Sequence, residues 1–414
     1  MTAQGHDGST ATLVLPDPEA AVLRQFAADK AHMAWKPELL ARKHARMRAS
    51  SFSYLRGSAS VYYELLAACP PLADGPAGDG WIVGDLHLEN FGAYRGAEPH
   101  PVAGGDVVFN LNDFDDAVQA PWRWDVLRLL TSVLLAARER GIEGVGTVGL
   151  ARQLITAYAH VLGTGKAPHE PAIVTKLVKR TSDRDRVEFL DSRTEIVKKE
   201  RHFIRGERYD DLAAATLAAV PQALKEYSSV DGAPRPPEDH LELIDAAFRI
   251  AGTGSLGCRR IAALTVGKGG PDGCWIFDIK EEGAPSAEVL LGPQTLAPNV
   301  RVATAARTCV PRPVHMLGTT TLQGRPMLVR RFMPQEDKID VSTLKLEEFE
   351  SITPYFGALA ALAHLRGAHH QPSKPWSEKE CELLLSRATL VAGWHEAAYL
   401  AFCRVLSLSD EAEG

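Results

Sequence analysis

Residues 84–90 read Gly-Asp-Leu-His-Leu-Glu-Asn, an aspartate with an asparagine five positions later. Phosphoryl transfer asks little covalent chemistry of a protein. It needs a carboxylate to orient the acceptor hydroxyl, oxygen ligands for Mg²⁺ and a cation on the phosphates. The Asp-to-Asn spacing here is the one such loops use. Asp85 is the residue expected to take the acceptor's proton. Asn90 is expected to offer its amide oxygen to Mg²⁺, a hard ion that prefers oxygen. A second stretch, Val107–Leu111 followed by Asn112-Asp113-Phe114-Asp115, is an apolar strand ending in acids. Asp113 is the first choice of metal carboxylate, with Asp115 as a substitute or second ligand. A solvated Asp/Asn turn at a strand end is the plain alternative. His87 has no second His or Cys at ligand spacing, so its expected role is to orient the loop by hydrogen bonds. For Asp125, in Trp-Arg-Trp-Asp-Val, two readings stay open: a brace for the loop, or a helix N-cap.

The phosphate-binding half lies later in the chain. Gly252-Thr253-Gly254-Ser255-Leu256-Gly257 stands between Phe-Arg-Ile-Ala and Cys-Arg-Arg-Ile-Ala-Ala-Leu, and an apolar run from Cys274 leads to Lys280. Gly252, Gly254 and Gly257, with Thr253 and Ser255 between them, predict a tight hairpin whose backbone N–H groups approach phosphate. Lys280 would aim an ammonium at the same oxygens. A dinucleotide site would instead need a helix directly after the glycines, whereas here a strand-like run leads into Gly-Lys-Gly-Gly-Pro. For the acidic partner of Lys280 the candidate is Glu288, with Glu281 and Glu282 as near neighbours that could face solvent.

These residues need elements to hold them. The chain has 414 residues, 45% hydrophobic and 24% charged, with a net charge of −6. This length suits more than one core, and the charge leaves no footprint for nucleic acid. Six scattered cysteines without a C-x-x-C pair point to reduced thiols and a cytoplasmic setting. The first residues lack a basic start and an apolar core, so no signal peptide is expected. No apolar run is long enough for a membrane span. Residues 1–18 read as a tail, 19–240 as a helical catalytic unit, 241–340 as a strand-rich nucleotide-binding unit and 341–414 as helices returning to the first. Within the first unit, 124–164 read as two amphipathic helices. Residues 166–210 are rich in Lys and Arg, including Lys179, Arg180, Lys198, Lys199 and Arg201. They predict an exposed helical insertion, with a basic wall of the site as the alternative.

Gly-Asp-Leu-His-Leu-Glu-Asn resembles the catalytic loop of aminoglycoside phosphotransferase and choline kinase-like enzymes, and Leu-Ala-Ala-Leu-Ala-His at 359–364 resembles the helix that precedes it there. More closely, the chain is similar to an uncharacterised bacterial family with a kinase-like signature. That similarity runs over roughly residues 30–370 and is carried by Ser-Phe-Ser-Tyr-Leu-Arg-Gly at 51–57, the Asp85 loop, Asn112-Asp113-Phe114-Asp115-Asp116-Ala117, the Gly252 loop and Ile279-Lys280-Glu281. The resemblance implies ATP use and an α+β, protein-kinase-like fold with a helix-rich large lobe and a small antiparallel-sheet lobe. Because the catalytic half comes first in this chain, that fold would be circularly permuted. The expected activity is transfer of phosphate from ATP to a hydroxyl of a small-molecule acceptor. A protein kinase, a nucleotidyltransferase and a non-catalytic nucleotide-binding regulator are the alternatives. Arg56, after an aromatic run, is a candidate for contact with a substrate anion, its alternative being a packed stem at a helix start. Arg330 and Arg331 follow an apolar strand and would frame the nucleotide. His369-His370 reads as a pair at a helix end rather than a metal site.

Overall fold

Long runs of Ala, Leu and Arg near both ends of the chain form helices that pack on one another. The computed structural model describes residues 13–97, 106–229, 236–252 and 256–413, with side chains through residue 408 except at 228 and 229. Helix Pro18–His32 starts where the Asp17 side chain accepts from the N–H groups of Glu19 and Ala20, satisfying donors that a first turn leaves free. Helix Trp122–Glu139 is buried along almost its whole length. It lies among Gly144–Thr164, Leu346–Arg366 and Glu378–Glu413, which form the main apolar core. Leu346–Arg366 and Gly144–Thr164 approach very closely at Gly357, where a Cβ would lie 2.3 Å from the Leu154 carbonyl oxygen.

The strand-rich region forms a seven-stranded antiparallel sheet. Its order is Tyr209–Asp210, Leu243–Arg249, Arg260–Thr265, Trp275–Glu281, Arg325–Phe332, Gly318–Leu322 and Ser228–Ser229. Side chains alternate across it, as a pleated strand requires. Ile261, Ala263, Phe277 and Ile279 pack with Val220 and Leu224 of helix Ala214–Lys225 on one face. Ala262, Leu264 and Ile276 pack with Leu190 and Phe203 on the other. The register Arg260↔Lys280 and Ala262↔Asp278 puts Asp278 and Lys280 on this second face.

Two three-stranded antiparallel sheets carry the acidic loops. One is ordered Ala368–His370, Asp79–Ile82, Val118–Pro121, and the other Glu336–Lys338, Phe91–Arg95, Val107–Leu111. The protein is thus α+β, mainly helical, with antiparallel sheets. Among the described residues no helix is long and apolar enough to cross a membrane.

Two local expectations need correction. The basic segment is not helical throughout. After helices Ala172–Ser182 and Arg186–Asp191 it forms the hairpin Thr194–Val197 and Glu200–Phe203. Lys198 and Lys199 are its two-residue turn, with φ of 50° and 73°, the primed geometry that matches strand twist. His369 and His370 belong to a short strand, Ala368–His370, rather than a helix end.

Candidate active site

Strand Asp79–Ile82 delivers the Asp85 loop, and buried hydrogen bonds set its course. Asp125 Oδ2 and Oδ1 accept from the N–H groups of Val83 and Gly84 at 2.6 and 2.9 Å. His364 Nε2 lies 3.2 Å from the same carboxylate, and the Tyr158 hydroxyl lies 2.8 Å from His364 Nδ1. Asp125 therefore braces the loop; the residue capping its helix is Pro121. Gly84 has φ of 82°, and a Cβ there would sit 2.0 Å from the Asp116 carbonyl oxygen. Only glycine lets the two acidic segments come this close.

Asp85 is held from behind by Arg128, which is fully buried in helix Trp122–Glu139. Arg128 Nε donates to Asp85 Oδ1 at 2.7 Å, a second guanidinium nitrogen contacts the same oxygen, and that nitrogen also donates to the Leu55 carbonyl. Asp85 Oδ2 is left toward the cleft, 3.8 Å from His87 Nε2. Burial pushes the Asp85 carboxyl up to about 7, Arg128 opposing and Asp116 and Asp113 adding to the rise. His87 is held neutral by burial and by Arg56 and Arg128. Its Nδ1 accepts from the Glu89 N–H, so the hydrogen-bond network assigns the proton to Nε2. Asn90 Oδ1 accepts from the His87 N–H at 2.6 Å, and the Asn90 carbonyl accepts from the Asn112 N–H. The asparagine thus closes its own loop and ties it to the second acidic segment, and among the described residues one lone pair of Oδ1 has no donor.

The strand-rich sheet meets these loops across a cleft. Asp85, Asn90, Asp113, Asp115, Gly252 and Lys280 all line one cavity of about 490 Å³. An adjoining pocket shares Asp113, Asp115, Gly252 and Lys280 and continues over Val302, Val310, Leu317 and Leu328. One end of the cleft is therefore acidic and the other apolar. Lys280 pairs with Asp115 and lies 3.7 Å from Glu282. Glu282 is buried, and its Oε1 has no hydrogen-bond partner among the described residues. Burial pushes its carboxyl up to about 7, Lys280 drawing it down and Asp113 raising it. Asp278 is gripped by Arg249, Arg260 and Arg330, which hold its carboxyl well below the usual range against the cost of burial.

Most of the residues singled out by sequence gather here, with several corrections. Glu288 does not pair with Lys280; it accepts from the Gln294 N–H at 3.2 Å and shapes a loop. The partner position belongs to Glu282 and Asp115. Gly252 lines the cleft and Gly257 lies in the same connection, between the paired strands Leu243–Arg249 and Arg260–Thr265. Gly257 does not line the cleft, and its carbonyl accepts from Trp35 Nε1 at 2.9 Å. Thr253, Gly254 and Ser255 lie outside the described residues. Arg56 ends the short helix Ser51–Leu55 instead of starting one, pairs with Glu89 at 2.8 Å and lines the cleft. Arg330 reaches the cleft, whereas Arg331 lies on the other face of the sheet. Lys179, Arg180, Lys198, Lys199 and Arg201 do not line the cleft; Arg201 is buried between Asp191 and Asp272.

Sequence reasoning missed Arg128 and Arg301. Arg301, buried in helix Pro298–Cys309, donates to the carbonyls of Ala117, Asp115 and Gly283 and so joins the acidic segment to the end of the Lys280 strand. In both cases the signal available was an arginine set directly between apolar neighbours, Leu127 and Leu129 around Arg128 and Val300 and Val302 around Arg301. Among the described residues one set of three possible ligands converges within 4.8 Å, Asp79 with His369 and His370 at the surface, and none of these lines the cleft.

The chain belongs to the family described as an uncharacterized protein conserved in bacteria (DUF2252), whose model matches residues 36–405. No curated protein and no solved structure matches it significantly, so the likeness to aminoglycoside phosphotransferase and choline kinase-like enzymes rests on the residues quoted above.

Proposed function

We propose that this family member is an ATP- and Mg²⁺-dependent phosphotransferase acting on a hydroxyl of a small-molecule acceptor. On this reading the seven-stranded sheet and the helical body are the two lobes of a kinase-like fold, circularly permuted so that the catalytic loop precedes the phosphate-binding strands. One observation carries it: Asp85, Asn90, Asp113 and Asp115 share a cleft with Lys280, which lies 165 residues along the chain from its partner Asp115. This is the set of groups that phosphoryl transfer calls for, and nothing in the packing of either core requires it.

The chemistry follows from the contacts. Arg128 occupies Asp85 Oδ1 and fixes the carboxylate plane, leaving Oδ2 to orient the acceptor hydroxyl and take its proton. The free lone pair of Asn90 Oδ1 and the carboxylates of Asp113 and Asp115 form an all-oxygen set, which suits Mg²⁺; the ion would neutralise charge on the phosphate oxygens. Lys280 would exchange its contact with Asp115 for phosphate oxygens, with buried Glu282 keeping the ammonium in place. The apolar end at Val302, Val310, Leu317 and Leu328 suits a base.

The test is transfer of label from γ-labelled ATP to a panel of sugar, amino-alcohol and antibiotic-like acceptors, with α-labelled ATP run in parallel. The reading expects γ-label only. It also expects Asp85→Asn to bind ATP while losing at least about 100-fold in turnover, the scale of a lost general base. Turnover equal to wild type in Asp85→Asn, or α-label in the product, would sink it.

A further inference from the structure

A second cavity, of about 510 Å³, opens beside the end of the seven-stranded sheet and shares no lining residue with the cleft. Four cations line it: Arg95, Arg186, Lys268 and Arg331. Among the described residues, no carboxylate lies within ion-pair distance of Arg186, Lys268 or Arg331, and Arg95 pairs only with Asp106, itself half exposed. Like charges gathered without counterions cost free energy, and a fold keeps them together only where something else holds them.

Arg331 shows what holds them. Its guanidinium carbon sits 3.6 Å from the centre of the Trp275 ring, and Trp275 in turn packs on His240 with ring centres 4.2 Å apart. The aromatic stack lays the guanidinium flat and leaves its N–H edge unused. His240 is 5% exposed and lines the cavity, and its buried Nδ1 has no hydrogen-bond partner among the described residues. Burial, together with Arg95 and Arg186, pulls the Arg331 guanidinium down to about 10, and no acid offsets them.

We propose that this cavity is an anion-binding site, separate from the cleft, for a small molecule carrying phosphate groups. Phosphate fits better than a single carboxylate. It brings more than one negative charge to match several cations, and its oxygens accept paired N–H bonds from the guanidinium edge. Binding would remove the mutual repulsion of Arg95, Arg186 and Arg331. The strand also links the two sites: Arg331 stands on the face opposite its neighbour Arg330, which bonds Asp278 in the cleft wall.

The experiment is calorimetric titration of the full chain with inorganic pyrophosphate at low ionic strength in Mg²⁺-free buffer, where the acidic cleft has no ion to hold phosphate and Lys280 stays paired with Asp115. Wild type is expected to bind at one saturable site. Arg186 and Lys268 are exposed, so Arg186→Gln and Lys268→Gln keep the fold, and each is expected to weaken binding about threefold, as loss of one solvent-exposed charge pair does. Arg331→Gln, whose helix and sheet content is checked by circular dichroism, is expected to weaken it at least about tenfold. Lys280→Met is expected to leave pyrophosphate binding unchanged. Absence of saturable binding, wild-type affinity in both exposed variants, or loss of binding in Lys280→Met would each overturn the proposal. The last outcome would send pyrophosphate to the cleft instead.

Discussion

Asp125 and Arg128 show how single buried polar groups set this site. Asp125 is fully buried, and its oxygens serve two backbone N–H groups and a histidine. Arg128 serves Asp85 and the Leu55 carbonyl. Sequence offered the brace as one of two readings for Asp125 and gave no role to Arg128, because each partner lies more than 40 positions away in the chain. His395 is the case with a measurable pH signature. It is buried against Tyr54, its Nε2 has no partner among the described residues, and burial, with Arg128 near, pushes its imidazole down to about 3. An unfolded histidine binds its proton near pH ~6.5. Between these values the unfolded chain carries a proton that the folded chain refuses, so stability falls as pH drops below about 6.5. His395→Phe removes this contribution. Its stability relative to wild type is expected to rise on acidification by up to about 1.4 kcal/mol per pH unit, read from urea unfolding at about pH 7 and pH 5. Equal pH dependence in the two proteins would contradict it.

At the scale of elements, period and packing explain both the success and the error of the sequence reading. The hairpin with the Gly252 loop and the strand carrying Lys280 are legible because alternation and glycines are local signals. Glu288 was the wrong partner for a reason equally local. Side chains two apart share a strand face, so Glu282 stays on the side of Lys280, while Glu288 begins the separate helix Glu288–Leu291. Helix contact at Gly357 could not be foreseen, since it depends on which helix lies across from it. In an isolated helix Gly357→Ala would gain about 1 kcal/mol of propensity. Here the new Cβ meets the Leu154 carbonyl oxygen at 2.3 Å and its Cγ at 3.1 Å. Forcing two packed helices apart costs about 1–3 kcal/mol, which outweighs that gain. Gly357→Ala is therefore expected to lower the calorimetric melting temperature; a rise would show that the helices separate freely.

For the whole molecule, the cleft joins two separately packed regions, the large helical core and the sheet with a smaller core on each face. A nucleotide spanning the cleft would bind only the folded chain. ATP with Mg²⁺ at about 100 times its dissociation constant is then expected to add about 2.7 kcal/mol of stability. Lys280→Met should lose most of this shift in a thermal melt, and an undiminished shift would place the nucleotide elsewhere. The sequence by itself determined the chemical inventory: the Asp85 to Asn90 loop, the acids from Asp113 to Asp115, the glycine turn, Lys280, and the order of helical and strand-rich regions. Each is a contiguous stretch whose spacing answers to local geometry. Only the tertiary structure decided that these stretches share one cleft, that Glu282 and Asp115 rather than Glu288 meet Lys280, and that Arg128 and Arg301 position the acids. Those choices depend on burial and on partners brought together from distant positions, and the free energy of placing a charge out of water is set by its final surroundings rather than by its neighbours in the chain.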